Sequence, residues 1–508
     1  MQTDRTAPRA PWKAALALAC SLAAAAPAGA QQGGGLTLDE VLRTTLSANS
    51  TIQTATWEVE RQAAGVRVAR GSFDPQVSAA VSSDGERSPF YGAQNAPGIQ
   101  PSSTLTYSLG MDQPFRSGLV VSPSLSFSRL DVVGQSLGPR NQGVATLGMT
   151  MPLLRGRGGG LAVAGERAAV MQHAASTATL DFRRSAAVLQ AVEAYWGYVA
   201  AYARLEVLRQ TEARSARILE QTQALVDADE RPAVDLLPLR ASLASRRASR
   251  ISGERGLIGA RQSLGRVMGI AAAEVMRLPP PSTTFPDGPG AGAIQDAGFV
   301  ERALRLRPDL EASRRQRDAS RDLLAGYRGE SRPRLDLSVT LGYQGLEAGE
   351  ELGRLVSPFY SELGGMHTRV EVTYGMPLRN RLAGGLALQS AAAERQAALA
   401  YAELRRQVEL DAAAALESLQ RSAEELAQFG EAAQLHGLAL ESEQQRYRLG
   451  TSTIFDIINA EEALTAATLA EIEARTRYAV ALARLRHETG TLLADGAVDA
   501  GALTRWTP

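Results

Sequence analysis

Beyond its first thirty residues this chain has neither cysteine nor lysine, since Cys20 and Lys13 are the only ones it contains. Their absence removes disulfides, thiol nucleophiles and lysine chemistry from consideration. No later stretch reaches the eighteen or more apolar residues of a membrane-crossing helix, so any membrane passage would have to be made by a closed barrel. A basic surplus is missing too. Removing three cations and one anion of the leader from totals of 54 and 54 leaves 51 arginines against 53 carboxylates. A neutral balance of this kind argues against a nucleic-acid partner, which demands a basic face. His173, His367, His436 and His487 show no ligand spacing, and without cysteine a metal site would need carboxylates gathered from distant segments.

The first thirty residues read as an export signal. Arg5, Arg9 and Lys13 form a positive start, Ala14 to Ala26 an alanine-rich apolar stretch, and Ala28-Gly29-Ala30 a small-x-small cleavage site before Gln31. Leu18-Ala19-Cys20 resembles a lipidation site, but Ala17 stands where an aliphatic residue is wanted and the sequence after Cys20 is still apolar. An unlipidated mature chain beginning at Gln31 is expected.

What the mature chain does contain is a duplication. Leu46, Ile52, Val66, Gly71, Pro75, Val77 and Ala79 are answered at a constant offset by Leu304, Leu310, Leu324, Gly329, Pro333, Leu335 and Leu337. One structural unit is therefore built twice. The division expected is a signal peptide over 1–30, a first repeat over 31–278, a Pro/Gly-rich linker over 279–293, a second repeat over 294–490 and a tail over 491–508.

Each repeat reads as a short helix, strands, a very long helix and a returning helix. Nothing breaks a helix from Arg155 to Leu225, where Val188, Val192, Tyr195, Val199 and Tyr202 recur at heptad spacing. From Arg379 to Leu449 the stripe is Val408, Ala412, Ala415, Leu419, Leu426, Phe429 and Ala433, with one beat missing at Ser422. Sustained stripes rich in small residues predict close-packed coiled-coil helices rather than a globular core, each about 105 Å long at the α-helical rise.

The strand segments alternate strictly. Leu105, Tyr107, Leu109 and Met111 interleave with Thr104, Thr106, Ser108 and Gly110, and Leu335, Leu337, Val339 and Leu341 with Asp336, Ser338, Thr340 and Gly342. One apolar and one polar face suits a barrel with lipid outside and water inside, and would equally suit any half-buried sheet. The Gly-, Ser- and Pro-rich stretches Ser83 to Ser102 and Gly345 to Gly365 are expected to be loops. Between Pro114 and Arg140 the first repeat carries an additional hairpin that the second lacks. Four barrel strands per chain are expected, with that hairpin folded back as a loop; the alternative is that it joins the barrel, giving six. Either number is too few to close a barrel from one chain.

The segment Gln445-Arg446-Tyr447-Arg448-Leu449-Gly450-Thr451-Ser452-Thr453-Ile454-Phe455-Asp456-Ile457-Ile458-Asn459-Ala460 resembles the helix-turn-helix tip of TolC-type outer-membrane efflux proteins. Met151-Pro152-Leu153 and Met376-Pro377-Leu378 are similar to that family's strand-to-helix junctions, and Asp74-Pro75-Gln76 and Arg332-Pro333-Arg334 to its helix-to-strand junctions. The resemblance covers nearly all of the mature length. It implies a mainly α protein with β structure: a homotrimer whose twelve-helix coiled-coil tunnel crosses the periplasm and continues into a shared twelve-stranded β-barrel in the outer membrane of a Gram-negative bacterium. It further implies a passive exit duct for an inner-membrane pump and its periplasmic adaptor, in efflux or type I secretion, with no catalysis and no cofactor.

By the same resemblance Tyr447, Asp456, Asn459 and, in the first repeat, Asp235 line or latch a periplasmic gate. Leu449, Gly450 and Thr451, with Asp229 and Arg231, would form the hairpin tips that meet an adaptor. Three-fold symmetry would turn each carboxylate into a ring selective for cations. The chain departs from the family pattern where Ser452 replaces a frequent arginine and Asn459 a second aspartate, so hydrogen bonding replaces a salt-bridge latch. Asp235 is also a suitable charge for a helix N-terminus. The first tip, Asp227-Ala228-Asp229-Glu230-Arg231-Pro232-Ala233, lacks a glycine.

Other readings fare worse. Gly156-Arg157-Gly158-Gly159-Gly160 precedes a helix as a phosphate loop would, but no Gly-Lys-Ser/Thr follows. No nucleophile elbow is present. Arg314-Arg315-Gln316-Arg317, with Glu311, Asp318 and Asp322, reads as a solvated charged face. A porin-like barrel would lack paired helices of this length, and a periplasmic coiled-coil scaffold would not need period-two segments bounded by prolines.

Overall fold

The structure, a computed structural model, describes residues 35–91, 97–133, 138–288, 298–349, 356–493 and 500–503. Residues 1–30, read from the sequence as a signal peptide, and with them Cys20, lie outside the described residues, as does part of the tail.

The first repeat opens with α1 (Leu38–Ala48) and α2 (Ser50–Arg70). Asn49 separates them because its side chain is spent on the new helix end: Oδ1 accepts from the Thr51 amide at 2.9 Å, while Nδ2 donates to the Val267 carbonyl at 2.8 Å. Strands β1 (Gln76–Tyr91), β2 (Pro97–Pro114), β3 (Val120–Val132) and β4 (Arg140–Pro152) follow, then α3 (Gly160–Asp227), α4 (Leu236–Met268) and the short α5 (Ala272–Val275). The second repeat has α6 (Phe299–Leu306), α7 (Pro308–Glu330), β5 (Arg334–Ala348), β6 (Gly364–Gly375), α8 (Arg381–Arg448) and α9 (Ile454–Glu488), with α10 (Ala500–Leu503) in the tail. Both long helices run for 68 residues, within a few residues of the span expected from periodicity.

The repeat is structural as well as sequential. Ile52 and Leu310 are buried at matching places, as are Val66 and Leu324. The copies interlock, because α3 packs on α2 and α4 of its own repeat and on α7 and α9 of the other. Small residues bring the helices close: a Cβ added to Gly326 would stand 2.8 Å from that of Ala164, and one on Gly253 would stand 2.8 Å from Leu208. The thickest core lies where α1, α3, α4 and α9 meet. Val188, Val192, Tyr195, Trp196, Leu264, Ala479 and Ala483 are buried there. Tyr202, at the end of the same stripe, is 37% exposed. In the second stripe the missing beat at Ser422 is buried, its hydroxyl returned to the Leu419 carbonyl at 2.9 Å.

The described part of the linker is bound rather than free. Leu36 exchanges backbone hydrogen bonds with Pro280 and Ser282, the Tyr198 hydroxyl donates to the Pro279 carbonyl at 2.9 Å, and Phe285 stacks on Trp196 at 5.3 Å.

Among the described residues the six strands form one antiparallel meander in the order β1 to β6. This corrects the expected four strands. The additional hairpin is β2–β3 and lies inside the sheet, because its alternation matches both neighbours. Ser83 to Ser102 is likewise mostly strand, since β1 continues to Tyr91 and β2 starts at Pro97. Its turn-forming composition hid two strand ends whose polar face simply continues.

Register sorts the side chains sharply. One cross-strand row reads Ala79, Leu109, Leu125, Ala145, Tyr343 and Met366, and the next reads Ser78, Gly110, Ser124, Thr146, Gly342 and His367. The first face is apolar and the second rich in hydroxyls, as a wall between lipid and water requires. Every strand has at least twelve residues, enough for a tilted membrane crossing of about 9–11 residues. The four prolines stand at the corners: Pro75 and Pro333 just before β1 and β5, Pro152 ending β4, and Pro377 just after β6.

Candidate functional site: the two hairpin tips

At the end of the helices opposite the sheet, the chain turns twice, from α3 into α4 and from α8 into α9. The second turn is closed by two backbone bonds, Gly450 N–H to the Tyr447 carbonyl and Thr451 N–H to the Arg446 carbonyl, both 3.0 Å. Gly450 supplies the left-handed residue that this Schellman geometry needs, at φ 75°. The first turn has the same design without a glycine. Asp229 N–H bonds the Val226 carbonyl at 3.0 Å and Glu230 N–H the Leu225 carbonyl at 2.9 Å, with Asp229 itself at φ 62°. Aspartate tolerates this region better than most residues.

Thr453 and Asp456 then form a reciprocal capping box on α9. The Thr453 hydroxyl accepts from the Asp456 amide, and the Asp456 carboxylate accepts from the Thr453 amide at 2.9 Å and its hydroxyl at 2.7 Å. Ser452 adds a third donor to Asp456 at 3.3 Å and also bonds Glu443, which holds Arg446 at 3.2 Å. The Thr453 hydroxyl and amide, helped by Ser452 and Arg446, hold the Asp456 carboxyl below the usual carboxylate range. Asp456 is thus a charged, exposed side chain fixed by its cap, and Asn459 is exposed one turn later.

Tyr447 joins the two tips: the Arg231 guanidinium lies 4.8 Å over its ring, and its buried hydroxyl has no hydrogen-bond partner among the described residues. Asp235 is half-buried at the start of α4, and its side chain makes no cap bond. The structure therefore brings Tyr447 to Arg231 and Asp456 to Ser452, while Asn459 and Asp235 stand apart from these contacts. Leu449 and Phe455 on one tip and Val234 and Leu237 on the other expose apolar side chains.

A polar layer above the tips has no signature in the sequence. Glu461 on α9 is buried, with Arg214 of α3 at 3.7 Å and the Ser215 hydroxyl at 3.4 Å. Burial raises its pKa despite Arg214. Nearer the middle of the helices, Arg307 is buried between Asp309 and Glu488, and His487 bonds the Ser185 hydroxyl at 2.8 Å. Burial, reinforced by Arg307, lowers the His487 pKa to about 4. Glu461 and His487 sit on α9 and Arg307 caps α7, places where a charged or imidazole side chain reads in the sequence as a surface residue. Among the described residues no cluster of His, Cys, Asp or Glu could hold a metal ion, and no helix is long and apolar enough to cross a membrane.

The family model described as outer membrane efflux protein matches residues 41–270 and 299–491. No curated protein sequence matches the chain. Among solved structures, the outer-membrane channel OprN superposes with a TM-score of 0.67 at 18% identity, covering 89% of this chain and 90% of its own. The CmeC outer membrane channel of Campylobacter jejuni gives 0.65 at 15% identity, covering 91% and 86%. The outer membrane protein VceC of Vibrio cholerae gives 0.64 at 17% identity, covering 89% and 96%.

Proposed function

From the premise that this chain belongs to the outer membrane efflux protein family, we propose that three copies of it assemble into the exit duct of a tripartite system. In that system an inner-membrane pump and a periplasmic adaptor deliver cargo to the tips. The observation that carries this reading is the continuity of one chain from an amphipathic sheet to 68-residue helices ending in paired hairpins. Neither the sheet edges at β1 and β6 nor the seams of the helices are satisfied within one chain, and neighbouring copies cover both.

Tyr447, Asp456, Asn459 and Asp235 form the gate in this reading. Because Asp456 is locked in its cap, it contributes a fixed negative charge to a three-fold ring rather than a swinging latch, and the Arg231–Tyr447 contact is the bond that must part when the tips spread. The exposed Leu449 and Phe455, with Val234 and Leu237, offer the adaptor an apolar footing.

Deleting the protein from its host should raise retention of a fluorescent efflux substrate, and the protein should fractionate with the outer membrane. Retention unchanged by deletion, under conditions where the pump is expressed, would overturn the reading.

A further inference from the structure

We propose that the β2–β3 hairpin is a transmembrane part of the wall, so that three chains close an eighteen-stranded barrel, and that Gly156–Gly160 is the saddle that seats the hairpin. The count rests on the trimeric reading above; the hairpin's place in the wall does not.

Three observations carry this. First, over residues 104–111 and 121–128 the hairpin continues the two-faced pattern of its neighbours, which ends where Arg129 pairs with Leu105 and Leu130 with Thr104. Tyr107, Leu109, Leu125 and Phe127 extend the apolar rows, while Thr104, Thr106, Ser108, Ser124, Ser126 and Ser128 extend the hydroxyl rows. A decoration lying against one side of the sheet would not need both faces. Second, β2 and β3 have 18 and 13 residues, longer than a membrane crossing needs.

Third, the inner turn of the hairpin is clamped to the helices. The Gly158 amide donates to the Ser117 carbonyl at 3.0 Å. Gly156, Gly158, Gly159 and Gly160 all take positive φ, of 85°, 71°, 81° and 51°. A Cβ on Gly159 would stand 2.6 Å from the Arg116 carbonyl oxygen, and one on Gly118 would stand 2.5 Å from that of Gly156. Arg116 then makes a two-pronged ion pair with Glu166 of α3 at 2.7 and 2.8 Å, and Arg70 at the end of α2 reaches the same carboxylate at 3.3 Å. The hydrogen bonds from Arg116 hold the Glu166 carboxyl below the usual carboxylate range. The glycine run that imitates a phosphate loop thus has a different purpose: it lets the backbone of an extra turn approach a helix start.

The consequence is a wider exit. With strands about 4.8 Å apart and tilted about 40°, eighteen strands give a barrel about 36 Å across, backbone to backbone, where twelve give about 24 Å. The added width is faced mainly by hydroxyls, with one carboxylate, Asp112, which accepts from the Ser122 hydroxyl at 2.5 Å.

The mature chain has no cysteine, which makes labelling direct. Ser108→Cys and Ser126→Cys on the hydroxyl face, and Leu109→Cys and Leu125→Cys on the apolar face, should be placed in protein reconstituted in liposomes and treated with a charged, membrane-impermeant maleimide. The two serine positions should label and the two leucine positions should not until the lipid is dissolved in denaturant. Equal labelling of all four would overturn the hairpin's place in the wall. Electron microscopy of the detergent-solubilised assembly should show six strands from each chain and eighteen in all. Four strands per chain, with β2 and β3 outside the wall, would overturn the proposal; six per chain at another copy number would sustain the wall and overturn the trimer.

Discussion

Two buried titratable groups at the helix interfaces set opposite pH responses. His487 is held neutral, with its pKa at about 4 instead of 6.5. The unfolded chain therefore takes up a proton first, and stability is lost as pH falls from about 6.5 to about 4, by up to about 3 kcal/mol. His487→Gln keeps a neutral hydrogen-bonding group near Ser185 and should flatten that part of a denaturation-versus-pH curve. Glu461 runs the other way. Burial raises its pKa, so the cost of its charge is relieved on protonation and returns as pH rises through that pKa. Glu461→Gln should raise stability at neutral pH by on the order of 1 kcal/mol and leave acid stability unchanged; a loss of stability at pH 7 would show that Arg214 more than repays the buried charge. Arg307 is the most exacting of these residues, because Arg307→Met strands Asp309 and Glu488. It should cost about 3–5 kcal/mol in thermal or chemical denaturation.

At the scale of elements, the turns offer a matched pair. Asp229 and Gly450 occupy equivalent left-handed positions, so Gly450→Ala should destabilise its tip by about 1 kcal/mol while Asp229→Gly is neutral or stabilising. Limited proteolysis at the two tips reads the difference. Much of this level was legible from residues: the ends of both long helices, the proline corners and the alternating faces all follow from local chemistry, since heptad spacing and period two report which side is buried. What escaped has a physical cause. The strand ends within Ser83–Ser102 have turn-like composition yet face water on one side, where serine and glycine cost little. The hairpin's alternation is readable, but its insertion between β1 and β4 is a matter of pairing that no local pattern reveals. At the candidate gate the residues were readable but their engagement was not. Asp456 is tied up by a capping box that Thr453 makes visible in the sequence once it is sought, whereas the Arg231–Tyr447 contact joins two repeats and has no sequence signal.

For the whole molecule, the single chain is an incomplete object: an open sheet with two unpaired edges and helices with exposed seams. Detergent-solubilised protein should give the mass of three chains by light scattering, and a stable folded monomer would refute the shared barrel. The central claim is that this assembly is a duct closed at its tips, and single-channel recording in planar lipid bilayers tests it most directly. The wild-type protein should conduct weakly and prefer cations, through the fixed negative ring at Asp456. Combined Tyr447→Phe, Asp456→Ala and Asn459→Ala should raise conductance and weaken that preference, while Asp318→Ala, on a helix face where Arg317 pairs with it, should change neither. A triple variant that matches wild type in both conductance and selectivity would contradict the account.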